Sequence, residues 1–134
     1  MSLAEFSVFN VEHFPAVWCC SENVYPGYGP RWQAEIEALV ERQTPFYMVF
    51  IPGDFTETAA DARVRAVWLK QNKARLASVC KSVISIETDS DKRQLMQAQC
   101  AGLEKAFGVP RLVCANLDEA DAMGLCTVCG RSAS

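Results

Sequence analysis

The sequence predicts a single α/β domain whose mixed β-sheet comes from elements in the order β-β-α-β-α-β-α-β-α, with the helices packed against the sheet. Three observations carry that expectation. Short runs of apolar and β-branched residues alternate with longer stretches of helical periodicity. One run, Phe46-Tyr-Met-Val-Phe-Ile51, is apolar at every position, as expected of a central strand covered on both faces. The chain has 134 residues, half of them apolar and 22% charged, which suits one core and is too little for two. No linker, repeat or low-complexity stretch divides residues 1–134, and the tail from about Gly130 is expected to fray.

Phe6 to Val11 reads as a first strand, His13-Phe14-Pro15 as a turn, and Ala16 to Ser21 as a second strand closing a hairpin. The Tyr25-Pro-Gly-Tyr-Gly-Pro30 loop leads into a helix, with Gly29 as N-cap and Pro30 at the first helical position, where a missing N–H costs nothing. Trp32, Ile36, Leu39 and Val40 recur at helical spacing between Arg31 and Gln43. After the central strand, Pro52 to Thr58 forms a loop. Thr58 caps the next helix, with Asp61 three residues on, and that helix carries Val64, Val67, Trp68 and Leu76.

Val79 to Glu87 alternates and is β-branched, so it reads as a strand. Asp89 caps a helix from Ser90 to Phe107 with the clearest apolar stripe in the chain (Leu95, Met96, Cys100, Leu103, Phe107), and Gly108 stops it. Arg111 to Ala115 is a last short strand. Asn116, with Glu119 behind it, starts a terminal helix through Met123.

The net charge of −3 is spread along the chain without a basic run, which disfavours nucleic acid as a partner. No apolar run is long enough to cross a bilayer and the first residues show no basic region followed by an apolar stretch, so membrane insertion is not expected and the cytoplasm is the expected location. Of seven cysteines, Cys19, Cys20, Cys80, Cys100 and Cys114 lie inside strand or helix patterns, as buried thiols of a reducing compartment do.

Cys126-x-x-Cys129 has zinc-knuckle or redox spacing, but zinc needs four ligands and the single histidine, His13, is remote. The pair is also read as following the last helix, where no helix N-terminus lowers a thiol pKa. Metal and cofactor are therefore not expected. His13, in a hairpin turn, is a poor general base, and the acids Asp54, Glu57, Asp118, Glu119 and Asp121 sit at helix starts, where they complement the dipole; no catalytic residue is assigned. Gly27-x-Gly29 and Gly53 match no phosphate-binding fingerprint and read as turn residues.

The loop beyond the central strand is the leading partner or ligand candidate, because ligands of open α/β sheets gather at the carboxyl ends of strands. It comprises Gly53, Asp54, Phe55, Thr56 and Thr58. Thr56 or Thr58, at a helix N-terminus, is placed to accept a phosphoryl group, with helix capping as the alternative for Thr58. Trp18 and Trp32 are expected in the core. Tyr25 and Tyr28, in a Gly/Pro-rich loop, are expected to be hard to bury and to line a ligand mouth or an interface, with Trp68 nearby.

This order, the apolar strand followed by Gly53-Asp54-Phe55, the run Trp68 to Leu76 leading into Val79 to Ile86, and the ending Leu117-Asp-Glu-Ala-Asp-Ala resemble the STAS superfamily, in particular its SpoIIAA-like branch, from Phe6 to about Gly124. The resemblance implies a non-enzymatic regulatory or protein-interaction module, able to act as a homodimer. It also implies a phospho-acceptor at the start of the helix after the third strand, where this chain reads Asp54-Phe55-Thr56-Glu57-Thr58 in place of Asp-Ser-Ser/Thr-Gly. Two other readings stand beside it. One is a binding domain for an apolar small molecule, with Trp32, Phe55, Trp68 and the loop tyrosines around the pocket. The other is a thiol-redox or metal protein acting through Cys126 and Cys129.

Overall fold

The computed structural model describes residues 5–20, 23–51 and 57–129. It is one α/β domain with a five-stranded mixed sheet and five helices. In chain order the elements are β1 (Phe9–Asn10), β2 (Ala16–Cys20), α1 (Gly29–Glu41), β3 (Phe46–Ile51), α2 (Ala59–Gln71), α3 (Lys73–Val79), β4 (Cys80–Ile86), α4 (Ser90–Phe107), β5 (Arg111–Cys114) and α5 (Leu117–Val128). The strands lie side by side in sequence order, β1 antiparallel to β2 and all later pairs parallel.

Several boundaries depart from the sequence reading, the largest departures being these. β1 has two residues, where Phe6 to Val11 was expected, because the backbone N–H groups of Ser7, Val8 and Phe9 all donate to the buried Glu35 carboxylate at 3.0 Å. Tyr28, one residue before Gly29, is the N-cap of α1. The helix expected to run from Thr58 through Leu76 is two helices. Asn72 breaks it by turning its side-chain amide back onto the Trp68 carbonyl at 3.0 Å. α5 continues past Met123 to Val128, so Cys126 lies within the helix and Cys129 is its C-cap; the pair does not follow the helix, as was expected.

Alternation along each strand divides the core in two. Tyr47, Val49 and Ile84 point to one face and pack with Cys114 and with Ala120 of α5. Val17, Phe46, Met48 and Val83 point to the other and pack with Trp32, Ile36 and Leu39 of α1, Trp68 of α2 and Leu76 of α3. Trp18, expected in the core, is half-buried against the α5 side. The stripe of α4 is not a core stripe: no described residue of the helix is fully buried, and Leu95 is 66% exposed. α4 packs along β5, an edge strand, so only a narrow strip of it meets the sheet.

Candidate functional site

Two segments far apart in sequence are tied together at the carboxyl end of the sheet. Thr58 caps α2 by accepting from the Asp61 N–H at 3.1 Å, as read from the sequence. The Asp61 carboxylate, buried, accepts from the N–H groups of Gly27 (2.7 Å) and Gly29 (2.9 Å) and from the Thr58 hydroxyl (2.8 Å). Burial alone would raise its pKa, but these donors outweigh that and hold it below the usual carboxylate range. Gly29 is needed at this contact, since a Cβ there would stand 2.8 Å from Asp61 Oδ1.

Beside this knot, Arg65 grips Glu57 through Nε (2.6 Å) and Nη2 (2.7 Å), and the Tyr28 hydroxyl donates to the same carboxylate. The Arg65 bonds hold Glu57 below its ordinary pKa, while burial and the Glu57 contact push the Tyr28 phenol up. Tyr28 is 3% exposed, which corrects the expectation that it is hard to bury: its ring packs in the core and its hydroxyl is satisfied by Glu57. Tyr25 is 47% exposed and meets Tyr28 edge to face at 6.2 Å.

Tyr28 and Arg65 form one wall of a cavity of about 340 Å3. Its floor is the sheet face opposite α5, where register aligns two rows of lining side chains: Met48, Val83 and Arg111, then Cys19, Phe50 and Ser85. Trp32 and Ile36 of α1 and Leu69 of α2 close one side, and Met96 of α4 reaches the other. α4 lies along β5, and among the described residues no helix covers Phe50, which is 41% exposed on a strand whose first four residues are buried.

The chemistry of the lining favours binding. Burial, with Cys80 and Cys20 adding to it, raises the Cys19 thiol well above its ordinary pKa, and burial pushes Cys80 up to about 12. Both are protonated and act as small hydrophobes, not nucleophiles. Among the described residues the lining holds no histidine and no carboxylate. Its charged groups are the guanidinium groups of Arg65 and of half-buried Arg111, whose pKa burial lowers.

Of the residues singled out from the sequence, Tyr25, Tyr28 and Thr58 converge here, Tyr28 on the cavity wall. Trp68 stands one layer back, donating to Glu37 at 2.7 Å and meeting Trp32 edge to face at 5.7 Å. Gly53, Asp54, Phe55 and Thr56, and the tail from Gly130, lie outside the described residues. Cys126 is half-buried and Cys129 exposed at the far end of α5, and the described residues contain no cluster of three or more metal-capable side chains. His13 stacks on Trp18 at 4.3 Å. The sequence reading missed Cys19, Phe50, Ser85 and Arg111. Period-two alternation could have put Met48 and Phe50 on one face, but the rows that join them to Arg111 depend on register between distant strands.

No family, no curated protein and no solved structure matches the chain. No helix among the described residues is long and apolar enough to cross a membrane.

Proposed function

We propose that this protein is a non-enzymatic module that binds an apolar small molecule, and that the cavity between the sheet and α1, α2 and α4 is its site. The observation that carries the reading is that cavity: about 340 Å3, walled by Trp32, Met48, Phe50 and Leu69, with few polar groups in its lining. Its volume and composition are those of a small-molecule pocket. Its place at the carboxyl ends of parallel strands is where α/β sheets collect ligands. Protonated thiols and the lack of a base in the described lining argue against catalysis there.

Titration with 1-octanol, followed by tryptophan emission and by calorimetry, tests it. Saturable binding that Ser85→Phe removes, by filling the floor of the cavity, is the expected result. No saturable signal from the wild-type chain overturns the reading.

A second reading keeps the resemblance to the SpoIIAA-like branch and gives the module a protein partner or a second copy of itself. Exposed Val67 on α2 and exposed Leu95 and Leu103 on α4 support it. The Thr58 switch has less support than either, because its hydroxyl already caps α2 and a phosphoryl group there would stand against the Asp61 carboxylate 2.8 Å away. If copies pair through α4, sedimentation shows a wild-type dimer and a Leu95→Glu monomer; a wild-type monomer at high concentration excludes that pairing.

A further inference from the structure

The cavity floor carries an aromatic ring set between two small side chains. Register places Phe50 directly between Cys19 of β2 and Ser85 of β4, on neighbouring strands about 4.8 Å away on either side. A thiol and a hydroxymethyl group are too short to cover the flanks of a phenyl ring, and Phe50 is 41% exposed. Tyr28 and Trp32 line the same cavity, and the sulfur atoms of Cys19, Met48 and Met96 enter its lining from the floor and from α4. Rings and sulfur atoms alike make favourable contacts with an aromatic guest. Several polar groups of the lining are already engaged: Arg65 and the Tyr28 hydroxyl share Glu57, and Arg111 is not without a partner. The Ser85 hydroxyl, in the row of Phe50, makes no hydrogen bond within the described residues.

Resting on the apolar-ligand reading above, we infer that the natural occupant is an aromatic compound bearing a hydroxyl or carbonyl group, its ring stacked against Phe50 and its polar group hydrogen-bonded to the Ser85 hydroxyl. A serine hydroxyl both donates and accepts, so it matches either group. Ring against ring, offset or edge to face, adds to what burial alone gives. A saturated molecule of the same skeleton keeps the burial and loses that contact. An arene without the polar group keeps the ring contact and leaves Ser85 unbonded.

Three probes that share a two-ring skeleton, 2-naphthol, naphthalene and the saturated alcohol 2-decalol, separate these cases by equilibrium dialysis against the full chain at neutral pH. The expected preference for 2-naphthol over 2-decalol is roughly two- to tenfold. Phe50→Leu brings that ratio toward one. Ser85→Ala weakens 2-naphthol roughly two- to tenfold and leaves naphthalene as it was. Equal wild-type affinities for 2-naphthol and 2-decalol overturn the inference, as does a preference that survives Phe50→Leu or a Ser85→Ala effect equal for 2-naphthol and naphthalene. Each of these outcomes leaves the apolar-ligand reading standing, whereas binding of none of the three probes overturns both. If Phe50→Leu fails to fold, the wild-type ranking and Ser85→Ala decide the matter.

Discussion

The two faces of one sheet are built to different standards. Tyr47 and Val49 point toward α5 and are buried, whereas Phe50, the next residue along the same strand, points the other way and is substantially exposed. Under α5 the fit is close enough that a Cβ on Gly124 would lie 2.2 Å from Tyr47 Cδ2, and the Tyr47 hydroxyl is anchored to Asp121 at 3.1 Å. On the opposite face α1 and α3 pack as closely near the amino ends of the strands, but α2 and α4 leave the carboxyl ends uncovered. A domain that packs one face more tightly holds its fold there and leaves part of the other to take a ligand.

Matched truncations test that division. Ile84→Ala, on the closed face, is expected to lose about 2–5 kcal/mol in urea denaturation, because it leaves a cavity α5 cannot fill. Gly124→Ala is expected to cost about 1–3 kcal/mol, despite alanine's better helix propensity, since the methyl meets the Tyr47 ring. The same denaturation curve for Gly124→Ala combined with Tyr47→Leu recovers part of the loss; strict additivity would mean the two do not collide. On α4, Leu95→Ala is expected to stay within about 0.5 kcal/mol of wild type. A loss as large as that of Ile84→Ala would show that α4 carries the core after all.

The carboxylate and phenol networks give the comparison a pH dependence. Glu57 titrates below its ordinary value of 4.5 in the folded chain, chiefly through Arg65, so its contribution is complete above that value and is lost as pH falls through the folded pKa. Tyr47 and Tyr28 titrate above their ordinary value of 10, by burial and by bonds to Asp121 and Glu57, so their contribution is complete below pH 10 and is lost as pH rises beyond it. Urea midpoints measured across pH should fall at both ends. Glu57→Gln should flatten the acid limb and Tyr47→Phe part of the alkaline one, with an unchanged acid limb in Glu57→Gln contradicting the assignment.

Much of this frame was legible in the sequence because it is local. β3, the Thr58, Asp89 and Asn116 caps and the Gly108 stop all depend on residues within four positions of one another. What was illegible depends on distant partners. Glu35 reaches back to the residues before β1 and truncates that strand. Tyr28 is buried because Glu57, far along the chain, receives its hydroxyl. α4 has the periodicity of a core helix but lies on an edge strand, and periodicity says nothing about how much sheet lies beneath. The cavity exists because of that mismatch, so its floor residues could not be read from any one segment.

The claim that the cavity face is a ligand site is tested most directly by amide chemical-shift mapping of the isotope-labelled chain with 1-octanol. Saturable shifts are expected at Cys19, Phe50, Ser85 and Arg111, with Tyr47, Val49, Ile84 and Gly124 undisturbed. Shifts centred on α5, or none at saturating 1-octanol, would contradict it.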